Sequence, residues 1–439
     1  MSVINNNAYI GIDLGTSGCR AIAIDDQSNI IASSQLAFQA SHSNNDLSEQ
    51  DPVYLWLCVH HVLSQLISLI SPVLPSSHGQ HYQIQAIAVD ATSGSVLITD
   101  EFGKPQTPIL MYNDARAVEQ AKLIANIAPT DSGAHGATSG LAKLVYLQQH
   151  NLLLQSLSCH LLHQADWINF NLGAPLGISD ENNALKTGYD PITRCWPDWL
   201  DLITNRAVLP KVVPPSTIIG FLSEKLCTEF NLTFAPKIVA GTTDSVVALL
   251  ATGANKLGDA VTSLGSTLVV KVITDTPVFL PEQGIYSHRM GDKWLVGGAS
   301  NTGGAVLKYY FNDEELQRLS KLISPNNQVP DYYPLLTKGE RFPINDPELA
   351  PRLSPRPSND VTFLHGLFNG MAKIEQQAYQ KLQQAGVSPV KSITTVGGGA
   401  VNQVWQAIRQ QHILLPFIVA EQTEAAFGAA CFAKDAKSI

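Results

Sequence analysis

Two short turns carry the residue types that hold phosphate. One is Leu14-Gly15-Thr16-Ser17, entered from Asp13; the other is Leu264-Gly265-Ser266-Thr267. Each lies between two apolar runs and reads as the turn of a hairpin. Glycine admits positive φ and a close approach of ligand to backbone. The N–H groups of such a turn, with the hydroxyls of Thr16 and Ser17, can surround a phosphate. Asp13 ends the first strand and aims a carboxylate at the same space, where it can hold magnesium through water. A plain hairpin with a polar turn has the same composition. The recurrence of one turn at the same point of two similar hairpins points further, to a duplicated unit whose halves face one nucleotide.

Three other stretches could do chemistry. In Gly241-Thr242-Thr243-Asp244 the carboxylate precedes an apolar helical run. Asp244 can take a proton from an attacking hydroxyl in phosphoryl transfer, cap the helix, or do both. Ser300-Asn301-Thr302-Gly303-Gly304 opens a helix, and a glycine-rich helix start is a ready anion site. Gly397-Gly398-Gly399 lets the backbone lie against a base or ribose. Asn402 and Trp405 follow at helical spacing and share a face, an amide and an indole that suit adenine. The alternative there is a strand-to-helix turn over a buried tryptophan. No GxxxxGK[ST], no strand-borne GxGxxG and no GxSxG occurs, which speaks against a P-loop enzyme, a Rossmann dehydrogenase and a hydrolase of the elbow type.

The elements that must position these residues follow from periodicity. After the first hairpin, residues 30–38 read as a third strand, and 53–70 as a helix begun at Pro52. Residues 84–90 read as a buried strand and 96–99 as a short one, with a loop over 71–83. Helices are expected over 139–149, 152–170, 197–208, 305–311, 367–385 and from 424 to 434. Strands are expected over 237–240, 284–289, 293–296 and 392–396, and an irregular loop over 342–359. His160 and His163 would share a helical face, without a third ligand for a metal. Three strands, a helix and a strand is the order of an RNase H-like half.

The chain has 439 residues, 45% hydrophobic and 15% charged, with a net charge of −9. That is room for two domains. The charge argues against nucleic acid or an anionic membrane as a partner. The six cysteines are scattered, with no CxxC pair, so neither a zinc ribbon nor a disulfide scaffold is indicated. No signal peptide is expected at the N-terminus, and no run approaches the roughly 18 apolar residues of a membrane span. A reduced cytoplasmic protein is the expectation, with a homodimer left open.

In this order along the chain, DLGTSGCR, GTTDSVVALLATGA, SLGST and TTVGGGAVNQVWQAI resemble the motifs of the FGGY carbohydrate kinases. The resemblance implies two actin-like ATPase (RNase H-like) α/β domains with the active site in the cleft between them. The first would be the sugar-binding domain, residues 1–251 with the helix 424–439 packing back on it. The second, 252–423, would bind the nucleotide. ATP and Mg2+ are the implied cofactors. Asp13 would hold the metal and lie near the substrate, and Asp244 would be the catalytic base. Gly15, Thr16, Ser17, Gly265, Ser266, Thr267, Gly303, Gly304, Gly398, Gly399, Asn402 and Trp405 would bind the nucleotide. In PILMYNDARA, Asp114 and Arg116 match the family's aspartate and arginine near the sugar; Met111 and Tyr112 stand where its tryptophan is usual, and Arg116 reads equally as a surface residue at a helix start.

For the acceptor, AVDATSGSVLITD (88–100) is similar to the corresponding segment of ribulose kinases, and of a shorter plant and cyanobacterial pentulose kinase group. Thr92 and Ser93 would then meet a sugar hydroxyl, unless the segment is only a polar junction. D-ribulose is preferred over xylulose or another polyol. An actin- or chaperone-like ATPase also carries DLGT, and a non-catalytic sugar-binding regulator is a third reading.

Overall fold

The computed structural model describes residues 6–38, 43–44, 47–70, 82–151 and 158–438. Two compact units divide the chain: Met1–Ala251 with Glu424–Ile439, and Thr252–Thr423.

In the first unit Asn6–Leu14 and Gly18–Ile24 pair antiparallel, and Ile30–Ala37 extends the meander. On the other side of the opening strand Tyr82–Ala91 runs parallel, then Lys237–Val239 parallel to that, with Ile218–Phe221 antiparallel at the edge. Ala8, Ile10, Ile12 and Leu14 are fully buried, as are their neighbours Ile87 and Val89. A sheet covered on both faces gives such near-continuous apolar strands.

One cover is the helix Pro52–Ile70. It is long and apolar enough to cross a membrane, with a hydropathy of 1.6, which corrects the expectation that no segment approaches that length. Its apolarity has a packing cause: Leu55, Val59, Val62, Leu63 and Leu66 are buried in the core of this unit. The other cover is the Ala-rich helix Ala425–Lys434. A Cβ at Gly11 would stand 2.0 Å from the Ala426 carbonyl oxygen, so small residues on both sides allow the contact.

The second unit repeats the plan. Asp259–Leu264, Leu268–Thr274 and Lys293–Ser300 form the meander, continued by Tyr286–Met290. Ser392–Val396 and Phe417–Ile418 add parallel strands beyond the first of them. The helix Asp360–Gln384 begins earlier than the periodicity suggested, because Asn359 caps it with Oδ1 accepting from Val361 N–H at 2.8 Å.

A smaller sheet in the first unit corrects two expectations. Residues 152–157 of the expected 152–170 helix, and 71–81 of the expected loop, lie outside the described residues. Cys159–His163 is a strand, paired antiparallel with Val96–Asp100, and only Gln164–Leu172 is helical. His160 and His163 therefore point to opposite faces. His163 is buried, with Nδ1 2.8 Å from Asp166 Oδ2 and Nε2 3.1 Å from Thr187 Oγ1. The stretch 197–208 forms two short 3-10 turns, Asp198–Leu202 and Arg206–Val208, the second capped by Asn205.

Candidate active site

Parallel pairing places Asp13 directly beside Asp90 at the ends of their strands. A further bridge, Ala91 to Thr243, brings the start of the helix Asp244–Ala251 to the same end. Three carboxyls thus gather at the carboxyl ends of parallel strands. Burial raises the pKa of Asp13, the Asp244 charge adds to this, and Arg20 opposes it. Asp90 is fully buried, and burial with the charges of Asp13 and Asp244 holds its pKa well above the carboxylate range. Like carboxyls side by side do not both ionise. Of the two, the fully buried Asp90 is pushed further toward its neutral form, and a hydrogen bond with Asp90 lowers the pKa of Asp13. Asp244 Oδ1 accepts from the Ser245 N–H at 2.6 Å.

The turn after Asp90 is held from several sides. Thr92 Oγ1 lies 2.6 Å from Ser95 Oγ and donates to Gln164 Oε1 at 3.0 Å. Ser95 Oγ also accepts from Tyr112 N–H at 2.9 Å. The Ser93 carbonyl accepts from Lys186 Nζ at 3.1 Å, and the Gly94 carbonyl from Lys143 Nζ at 2.8 Å. Gly94 has φ +89°, and a Cβ there would lie 3.1 Å from Lys186 Cδ. Ser93 Oγ, by contrast, is buried without a partner, as is Thr243 Oγ1 beside Asp244. Of the two hydroxyls expected to meet a sugar, Thr92 is spent on the protein and Ser93 is not.

Asp114 sits in a network of ion pairs and hydrogen bonds. It is fully buried, accepts the Ser48 N–H at 2.8 Å, and takes Arg116 in a fork with Nη2 at 2.6 Å. Arg116 Nη1 donates to Glu49 Oε1 at 2.6 Å. The pair is a brace joining segments 47–50 and 111–116.

At the first phosphate turn Thr16 and Ser17 are exposed, and the Gly15 N–H closes the turn on the Gly18 carbonyl at 3.0 Å. At the second, Ser266 is exposed. The anion site expected at Gly303-Gly304 is filled by protein. The N–H of Gly304 donates to the Gly265 carbonyl at 2.8 Å and that of Ala305 to the Ser266 carbonyl at 3.0 Å. Gly303 and Gly304 are needed because a Cβ on either would collide with that turn's backbone.

A cleft of about 860 Å³ opens in the second unit, within the size of sites that hold small ligands. Gly265, Ser266, Gly304, Gly398, Gly399, Asn402 and Trp405 line it, with Gln317 and Ser320 from the helix Asp313–Ser320 and its end. Thr267 and Gly303 lie outside the lining. Trp405 is corrected in its role: it is 2% exposed, stacked on Phe368 with centroids 4.9 Å apart. A Cβ at Gly399 would stand 2.5 Å from its ring. The indole is the floor of the cleft rather than a free stacking face. Asn402 caps its helix, with Oδ1 accepting from Trp405 N–H at 3.0 Å, and its Nδ2 donates to Ser320 Oγ at 2.9 Å.

Among the described residues no group of three or more His, Cys, Asp or Glu is arranged to hold a metal. Magnesium asks for less: one or two carboxylates, waters and substrate phosphates. Asp13, partly exposed at a phosphate-type turn, fits that demand.

Sequence reasoning passed over Asp90, Lys143 and Lys186. Each is a charge inside or next to an apolar run, which was the available signal. Lys143 is fully buried on the helix Gly140–His150, and burial pushes its ammonium down to about 7. Burial also lowers the pKa of Lys186, while the nearby Asp244 charge counteracts it.

Comparison with known proteins gives the family and the fold. The model of the FGGY family of carbohydrate kinases, N-terminal domain, matches residues 8–251, and that of its C-terminal domain matches residues 260–434. A xylulose kinase of Escherichia coli (strain K12) is 22% identical over 425 residues, 91% of this chain and 83% of that enzyme. A gluconokinase of Bacillus subtilis (strain 168) is 22% identical over 454 residues, 96% of this chain and 86% of the other. The crystal structure of xylulose kinase from Rhodospirillum rubrum superposes with a TM-score of 0.85 at 19% identity, covering 97% of this chain and 89% of that one, which shows a shared fold.

Proposed function

Since the chain belongs to the FGGY family of carbohydrate kinases, which transfer a phosphoryl group from ATP to a sugar hydroxyl, we propose that its acceptor is a pentulose, D-ribulose foremost, phosphorylated at the terminal hydroxyl. The observation that carries an acceptor at the turn 92–95 is the buried, unpartnered hydroxyl of Ser93, which follows Asp90 three residues on in the chain. An unpaired buried hydroxyl loses its bond to water and gains one only from a ligand or an ordered water. The segment 88–100 is what favours D-ribulose. Xylulose is the second reading, favoured by relatives that bear that name.

Asp244 accepts the proton of the attacking hydroxyl, a role its position at a helix start does not prevent. A hydrogen bond with Asp90 keeps Asp13 oriented. Asp13 would hold magnesium through water; when bound, the ion would offset charge on the transferred phosphoryl group. The turns at Gly15 and Gly265 would supply phosphate contacts, and the cleft lined by Gly398, Gly399 and Gln317 would take the adenosine. A reaction that consumes ATP fits a cytoplasmic enzyme.

Coupled ADP release across D-ribulose, D-xylulose, L-ribulose, glycerol and gluconate tests this. The expected result is the highest kcat/KM with D-ribulose. A higher value with D-xylulose would move the assignment to the second reading. A preference for gluconate or glycerol would overturn the pentulose assignment.

A further inference from the structure

Lys143 bonds two carbonyl oxygens, Gly94 at 2.8 Å and Met111 at 2.6 Å. Among the described residues it forms no ion pair. The charges that act on it are Asp114, which is already matched by Arg116, and the cations Lys186 and Arg116. A buried ammonium without its own carboxylate is costly, so its place in the fold asks for a gain elsewhere. The two carbonyls belong to different segments. Gly94 is in the turn that carries Ser93, and Met111 opens the segment leading to the Asp114–Arg116 brace. The same turn is gripped one residue earlier by Lys186 on the Ser93 carbonyl. Consecutive carbonyls are thus held by two lysines, while Ser93 Oγ, on the first of the two residues, has no partner.

We propose that Lys143 is a positioning residue of the acceptor site: by pinning the Gly94 and Met111 carbonyls it holds Ser93 Oγ where a sugar hydroxyl can bond it. The inference rests on the reading of turn 92–95 as the acceptor site. Lys143 touches no reacting atom, and acts only through the shape of that turn.

Steady-state kinetics of Lys143→Met, Ser93→Ala and the double variant test it, using the full chain and the best acceptor of the panel. Each single change should raise the acceptor KM about tenfold, the worth of one hydrogen bond. The KM for ATP should stay within about twofold, since the nucleotide cleft is built from other residues. The double variant should be little worse than the worse single one, because both act through one contact. Additive effects, a parallel rise in the KM for ATP, or an unchanged acceptor KM in Lys143→Met would overturn the inference. An unchanged acceptor KM in Ser93→Ala would overturn the reading of the turn as well. If Lys143→Met does not fold, Lys143→Gln, whose amide reaches at most one of the two carbonyls, is read by the same split between the two KM values.

Discussion

At the residue scale, base and local structural role can be separated at Asp244, the first residue of its helix. Asn keeps a side-chain oxygen that the Ser245 N–H can still reach. Asp244→Asn should fold and bind both ligands, yet turn over more slowly by about 10²–10⁴, the usual worth of a positioned general base. Near-normal kcat would remove Asp244 from catalysis. Asp180 offers a pH test in the same unit. Its carboxyl accepts from the N–H groups of Asn182 and Asn183 at 2.9 and 3.1 Å, and burial pushes its pKa up to about 6. A carboxyl with a raised folded pKa favours folding when protonated. Its penalty is absent below the ordinary value near 4, grows as pH rises to about 6, and is constant above. The stability of Asp180→Asn relative to the parent should therefore rise by up to about 3 kcal/mol from pH 4 to pH 6, then level off. Denaturant melts across that range check it, and a difference independent of pH would show that burial does not perturb Asp180.

At the element scale, the two hairpins and the Gly397 turn were legible because their causes are local. Apolar β-branched runs, a glycine where the chain must turn, and a polar residue at the tip all lie within a few positions of one another. Cys159–His163 was not legible: its strand state comes from pairing with Val96–Asp100, a distant edge that overrides helical spacing. Asp90, Lys143 and Lys186 were missed for a related reason, since a buried charge is explained only by groups that other segments bring to it. Trp405 shows the limit from the other direction. Asn402 caps the helix rather than sharing a face with Trp405, and the indole turns inward to Phe368. Trp405→Ala should consequently destabilise the second unit by about 3–5 kcal/mol, the cost of emptying a large aromatic site, while Trp405→Phe should lose much less. Thermal or denaturant unfolding measures this. A Trp405→Ala variant with unchanged stability and a weakened KM for ATP would restore the stacking role.

At the scale of the whole molecule, two units with separate apolar cores carry different parts of the proposed chemistry. The carboxyl group around Asp13 and the turn 92–95 belong to the first unit, and the 860 Å³ cleft to the second. A ligand that binds only folded protein stabilises the segments it touches, by about 2.7 kcal/mol at a hundredfold excess over Kd. Hydrogen exchange reports such stabilisation segment by segment. The sugar alone should slow exchange at residues 90–95 and 242–245. ADP alone should slow it at residues 264–268 and 397–405. The backbone groups at issue are not all equal reporters. The N–H groups of Gly304 and Ala305 are already bonded to the Gly265 and Ser266 carbonyls, so ADP should change them only by tightening that turn. The N–H groups of Ser266 and Gly398 are the more telling probes. Protection by ADP confined to the first unit, or by the sugar confined to the second, would overturn the assignment of substrates to units even if the enzyme proved to be a pentulose kinase.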